Sequence, residues 1–300
     1  MPTPLLLPTL TTSVNTWQCD ENDHLNVQFY TEFAHEASAH LLHRFGLGPR
    51  AQRAAGIAIR ANEDHIRYLR EFRIVEAVEV QSAPVEVGER SLVVYHEIRN
   101  PADGSLAATV RRRIESSRPW PDTFRAHAEA SRIEMPKGIE PRSVGKPPLP
   151  PVKLADAERI GLIAVGRTVI KPAECDENGL FLPRHMFGRY SDAAPMLWNH
   201  FGFDRTAMQD RGEGTVIVET LHTYLAWLQA GHLLVIMSGL ADFADKTLKL
   251  VHYAFDAETG TLAAIAEGVA LKFDQKARAV MAFSAEDKAR LAQLKLHLFA

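Results

Sequence analysis

The chain has 300 residues, 46% hydrophobic and 24% charged, with a net charge of -3. That length suits two units of about 150 residues better than one core. The near-neutral charge gives no electrostatic case for nucleic acid or an anionic membrane as partner. Only Cys19 and Cys175 are present, which argues against a disulfide scaffold and fits a reducing cytoplasm; no Cys/His spacing resembles a zinc site, so no metal or cofactor is expected.

In chain order, residues 1–8 lack a basic stretch and are broken by prolines, so they do not read as a signal peptide. No uncharged apolar stretch reaches the length of a membrane span. A short strand over 12–18 leads into the loop Cys19-Asp20-Glu21-Asn22. Tyr30, Phe33, Ala34, Ala37, Leu41 and Phe45 then recur at helical spacing, with Asn26 placed to cap the start and Gly46 or Gly48 the end. Next the period changes to two, predicting strands over 56–62, 65–72, 74–81, 91–99 and 106–116. Pro84 should help to end the third of these, and Pro101-Ala102-Asp103-Gly104 marks a turn. One long apolar helix followed by antiparallel strands implies a sheet wrapped around the helix, an α+β unit.

The same order then repeats. Residues from about 12 to 110 recur without a gap at their own number plus 156: Cys19-Asp20-Glu21-Asn22 as Cys175-Asp176-Glu177-Asn178, Phe45-Gly46 as Phe201-Gly202, Gly56 and Glu63 as Gly212 and Glu219, Tyr68-Leu69 as Tyr224-Leu225, Leu92 and His96 as Leu248 and His252. Residues 135–153, which include Lys146-Pro147-Pro148-Leu149-Pro150-Pro151, read as an extended linker between a first unit over 1–134 and a second over 154–300. In the second copy Pro195 should kink the helix or delay its start. Residues 284–298 form an added helix with Ser284 as N-cap.

The stretch from Asp20 to Tyr30, with His24 and Asn26 within it, resembles the signature of hotdog-fold thioesterases, roughly Asp-x-x-(Gly)-His-x-Asn-x-x-x-Tyr, with Asp23 where many members have glycine. That group includes the 4-hydroxybenzoyl-CoA thioesterases and the acyl-acyl-carrier-protein thioesterases. The latter carry Asp-x-Asn-x-His, matched by Asp20, Asn22 and His24, and a strand Tyr-Arg-Arg-Glu-Cys, which Tyr68-Leu69-Arg70-Glu71-Phe72 resembles with Glu71 kept and the thiol lost. The resemblance covers nearly the whole chain. It implies a double hotdog: two antiparallel sheets, each wrapped around a long helix, packed as an intrachain pseudo-dimer, with further homo-oligomerisation left open. It also implies an acyl-CoA or acyl-carrier-protein substrate in fatty acid metabolism, and a site formed where two units pack. In the second copy Leu180, Leu182 and Trp227 replace His24, Asn26 and Glu71, so the first copy is expected to hold the reaction centre.

Thioester hydrolysis needs an activated water or a nucleophile, a donor to the developing oxyanion and a cleft. Asp20 and Glu71 are interchangeable candidates for base or nucleophile. His24 could orient a carboxylate or water, and Asn22 and Asn26 could fix that geometry. The N–H groups of Val27 and Gln28, opening the helix, could hold the oxyanion, with Tyr30 beside them at the substrate. Asp20→Ala should then abolish hydrolysis and Asp176→Ala cost much less. Arg111 and Arg113 share one strand face and could meet coenzyme A phosphates or an acidic carrier.

The blander readings are specific too. A turn-and-cap role fits Asp20, because it recurs in both copies. A solvated surface charge fits Glu71, Arg111 and Arg113, and a strand-edge surface position fits Glu63 and Glu219. The two cysteines read as small buried residues, and His35, His40 and His43 as exposed. Trp198, Trp227, Phe201 and Phe203 suit either an interface lining or core packing. A hotdog hydratase or dehydratase would show its Asp and His one residue further apart than Asp20 and His24. A non-catalytic acyl-thioester-binding module would leave Asp20 and Glu71 exposed and remote from any cleft.

Overall fold

The computed structural model describes residues 5–298. The signal-peptide reading of the N-terminus rests partly on residues 1–4, which lie outside that range. The chain divides into two compact units, Met1–Glu140 and Pro141–Ala300.

In the first unit the order is β1 (Leu7–Ser13), α1 (Gln28–Arg44), α2 (Pro49–Ala55), β2 (Ile59–Tyr68), β3 (Ala77–Val87), β4 (Ser91–Arg99), β5 (Leu106–Ser116) and α3 (Asp122–Ala130). The strands pair antiparallel in the order β1-β3-β4-β5-β2, and α1 lies against β1, β3, β4 and β5. Phe29, Tyr30, Phe33, Ala34, Ala37, Leu41 and Leu42 put the apolar stripe of α1 into this core. Burying each large side chain there contributes about 1.5–3 kcal/mol. His35, His40 and His43 are exposed on the other side of the helix, as their positions implied. This is the sheet-around-a-helix arrangement of a hotdog unit.

Both ends of α1 follow from the sequence. The Asn26 side chain accepts from the Gln28 N–H (3.2 Å) and its carbonyl from the Phe29 N–H. At the other end Gly46 adopts φ +85°. Its N–H donates to the His43 carbonyl and that of Leu47 to the Leu42 carbonyl, the paired bonds of a Schellman close.

The second unit runs β6 (Ile163–Val169), α4 (Pro183–His200), α5 (Arg205–Asp210), β7 (Glu213–Tyr224), β8 (Leu233–Phe243), β9 (Thr247–Asp256), β10 (Leu262–Asp274), β11 (Ala279–Met281) and α6 (Ala285–Leu294). Its strands pair in the order β6-β8-β9-β10-β7, with β11 on β10. Gly202 and Phe203 close α4 as Gly46 and Leu47 close α1. Residues 141–153 are laid on this unit. Val144 is buried, the Arg142 and Ser143 N–H groups donate to Glu219, and the Gly145 N–H donates to Glu267. No helix among the described residues is long and apolar enough to cross a membrane.

Several expectations need correction. The first strand is Leu7–Ser13, and 56–62 and 65–72 are one strand, β2, bulged between Ala61 and Glu63. Pro84 does not end β3. The pairing with β1 stops at Ser82, so the missing N–H of Pro84 faces no partner strand, and a bulge carries the chain on to Val87. Pro195 neither breaks α4 nor delays its start; Pro183 opens the helix at its first position, where the lost N–H costs no bond. The final helix starts at its Ser284 cap as expected but ends at Leu294. Glu219 is buried rather than on the surface. The cysteines are half-buried, each Sγ turned to the carbonyl four residues back, and burial raises both thiol pKa values. Trp198, Phe201 and Phe203 are core residues.

One polar motif recurs inside both units. Ser82 and His96 meet through Oγ and Nδ1 at 2.6 Å, and Ser238 and His252 at 2.7 Å. His96 is fully buried and His252 half-buried, and desolvation lowers each imidazole pKa to about 3.

Candidate active site

The loop that opens the motif is built by Asp20. Its Oδ1 accepts from the Asn22 N–H (2.8 Å) and the His24 N–H (3.2 Å), and its own N–H donates to the His24 carbonyl (2.8 Å). Asp23 sits at φ +58°, a left-handed conformation that aspartate tolerates and that explains glycine at this place in similar sequences. The second unit makes the same loop. Asp176 Oδ1 accepts from the Asn178 and Leu180 N–H groups, and Gly179 takes the left-handed position. The recurring aspartate therefore shapes a turn in both units, and the turn alone does not distinguish them.

What distinguishes the first unit is the side chain the turn presents. A backbone bridge joins His24 to Arg73, and the Leu25 N–H donates to the Phe72 carbonyl (2.8 Å), so the loop after β2 is stitched to the loop before α1. This brings Glu71 to His24, with Oε2 3.4 Å from Nε2. That is ion-pair range without hydrogen-bond alignment, a looseness common in catalytic pairs without substrate. The side chains are 17% and 29% exposed, so the pair is sheltered yet reachable. Glu71 lies just past β2 rather than on a strand. Its neighbour Arg70 is directed to Glu76 (2.8 Å), Asp103 (3.3 Å) and Ser105. In the second unit the stitched loops present Leu180 and Trp227 instead.

Around this pair, the Gln28 N–H is already used by the Asn26 side chain, whereas among the described residues nothing accepts from the Val27 N–H. Tyr30 is a core residue, 3% exposed, packed edge-on against Tyr68 (5.1 Å between centroids). Its hydroxyl donates to the Arg70 carbonyl (3.5 Å), and burial raises its pKa. Tyr30 thus supports the segment that carries Glu71. Arg111 pairs with Glu63 (2.7 Å), while Arg113 is 40% exposed and 3.9 Å from Glu115. The loop before Glu71 bonds to β5 at Ala107, so Arg111 and Arg113 lie roughly 13 and 20 Å farther along that strand. The structure does not bring them to His24 and Glu71.

Sequence reasoning passed over Arg112. It alternates with Arg111 and Arg113 and so shares the buried face of Val110 and Ile114. Arginine in that register demands a buried carboxylate, and Asp64, directly opposite on β2, provides it. Ser82 and Ser238 were also legible, because they recur at the same offset as His96 and His252.

Among the described residues no group of His, Cys, Asp and Glu is arranged to hold a metal ion. Three solved structures share the architecture. An acyl-ACP thioesterase from Bacteroides thetaiotaomicron matches with a TM-score of 0.67 at 12% identity, over 87% of this chain and 96% of that one. The 12:0-ACP thioesterase from Umbellularia californica matches at 0.65 and 12%, over 88% and 93%. A Lactobacillus plantarum protein provisionally assigned as an oleoyl thioesterase matches at 0.70 and 12%, over 90% and 97%. At such identities the likeness is one of fold, and the fold is a double hotdog. No curated protein sequence matches the chain. The family model described as the Thioesterase-like superfamily matches residues 14–116 and 170–291, one segment in each unit. With both copies of the repeat matched, the chain belongs to the Thioesterase-like superfamily and takes its place among the thioester hydrolases.

Proposed function

We propose that this protein hydrolyses an acyl thioester of coenzyme A or of an acyl carrier protein at the His24–Glu71 pair of the first unit. The observation that carries the reading is the 3.4 Å approach of those two side chains in one unit and the Leu180 and Trp227 that stand in their places in the other. Glu71 acts as general base on a water that His24 helps to orient. The water oxygen adds to the thioester carbonyl, and the Val27 N–H, at the positive end of α1, donates to the resulting oxyanion. The C–S bond then breaks, and the proton taken by Glu71 passes to the departing sulfur.

Asp20, whose Oδ1 is committed to two backbone N–H groups in a turn that Asp176 reproduces, positions the loop. Asn22 belongs to the same turn, and Asn26 caps α1 beside it. A pantetheine arm would hold the phosphate end of either substrate well away from the thioester, and Arg111 and Arg113 lie along β5 where that end could reach. The carriers of this chemistry in fatty acid metabolism are cytoplasmic thioesters, in keeping with the cysteine usage.

The test is free-thiol release from a panel of short, long and aromatic acyl-CoA and acyl-carrier-protein thioesters. Turnover of at least one member, lost in His24→Leu, supports the reading. A folded wild-type protein inactive across the panel overturns it in favour of a thioester-binding module.

A further inference from the structure

We infer that the buried Asp64–Arg112 pair is a positioning device for the first unit's reaction centre, an inference that rests on the hydrolytic reading above. Asp64 and Arg112 face each other across β2 and β5 and are 0% and 1% exposed. Arg112 Nε donates to Asp64 Oδ1 (2.6 Å) and Nη2 to Oδ2 (2.8 Å), a two-point grip. The same Nη2 also reaches the carbonyl of Thr31 (3.3 Å), in the first turn of α1. That turn begins just after the Val27 N–H. It also holds Tyr30, whose hydroxyl supports the Arg70–Glu71 segment. One guanidinium, neutralised by its carboxylate, therefore fixes the helix turn from which both the oxyanion donor and the support of Glu71 project.

Fold stability does not account for the pair. Desolvating two charges cancels most of their attraction, and apolar residues of similar volume commonly serve as well. The second unit does without these two charges in the same register. There Thr220 faces Gly268 across β7 and β10, a Cβ at Gly268 would meet only ordinary contacts at 3.8 Å, and the helix is instead packed by Tyr190 stacked on His252 (4.9 Å) and His222 (5.9 Å). Unit 1 has Ala34 and Ile66 where unit 2 has Tyr190 and His222. The ion pair is found in the unit that carries His24 and Glu71.

The test replaces the pair by apolar residues, Asp64→Leu with Arg112→Met, and in parallel makes Arg112→Lys, which keeps the charge but loses the fork. Three readouts are taken: urea unfolding, steady-state thiol release, and amide hydrogen exchange at residues 27–31. The inference expects an unfolding midpoint at or above wild type, KM within about twofold, and kcat reduced about tenfold or more, the scale on which small misplacements act. It also expects faster exchange confined to the start of α1. Arg112→Lys should fall between the two, and it carries the test if the double variant does not fold. A folded variant with wild-type kcat overturns the inference. If the wild type proves inactive on every thioester, the hydrolytic reading fails separately, and exchange at residues 27–31 then decides whether the pair orders that turn.

Discussion

The two units of this chain keep one scaffold and differ where chemistry would be done. Asp20 and Asp176 close the same turn, Gly46 and Gly202 end the long helix alike, and the Ser–His pair recurs in each unit. Against that shared frame, His24, Glu71, Tyr30 and the Asp64–Arg112 pair of unit 1 give way to Leu180, Trp227, Met186, Thr220 and Gly268 in unit 2. A residue kept in both copies is accounted for by folding. One kept only in unit 1, and costly or exposed there, asks for a functional reason. The sequence leaves Asp20 and Glu71 interchangeable as base or nucleophile, and this contrast favours Glu71.

The sharpest way to break the contrast is to make unit 1 like unit 2. His24→Leu combined with Glu71→Trp should lower kcat by about three orders of magnitude or more, since the base and the group that orients its water are both lost; stopped-flow thiol release checks it. Substituting Trp227 or Leu180 should leave turnover within about twofold.

Next in size, Asp20→Ala and Asp176→Ala should each cost roughly 1–3 kcal/mol in urea unfolding, because each strips two backbone N–H groups of their acceptor. Only Asp20→Ala should also reduce kcat, through the displaced His24. Equal kinetic losses from the two would contradict the one-site reading.

The Ser-paired histidines treat both units alike. Their folded pKa values, about 3, lie below the usual imidazole value near 6.5. Between those limits the unfolded chain binds the extra protons, so stability falls as pH drops from about 6.5 toward 3, by roughly 1.4 kcal/mol per pH unit for each histidine. Urea midpoints at pH 6.5, 5.5 and 4.5 should show that slope, and His96→Phe should make it shallower.

The smallest effect concerns Val75. It holds φ +62° although β-branched, where unit 2 has Gly231 at φ +92°, and its side chain is 82% exposed. Val75→Gly should stabilise by about 1 kcal/mol in urea unfolding by relieving the left-handed strain.

Much of the frame was legible in the sequence. The apolar stripe from Tyr30 to Phe45 located α1, the strands over 91–99 and 106–116 appear as read, and the plus-156 recurrence announced the second unit. The misreadings share a cause. Whether Pro84 ends a strand depends on where β1 stops, and whether Pro195 breaks a helix depends on packing around α4; neither is local information. The short helices α2 and α3 span too few turns to show a period. The site was half legible. Its residue types stood out, but the meeting of His24 and Glu71 depends on the stitch between two loops, and Arg112 was hidden between two half-buried arginines of the same run.

The central claim is that Glu71, and not Asp20, supplies the base. Steady-state thiol release by Asp20→Asn and Glu71→Gln, assayed side by side on one thioester that the wild type turns over, tests it directly. Asparagine retains the side-chain oxygen that accepts from Asn22 and His24, so the account predicts Asp20→Asn within about tenfold of wild type and Glu71→Gln below it by about a hundredfold or more. The reverse pattern, with Asp20→Asn inactive and Glu71→Gln near wild type, would contradict it.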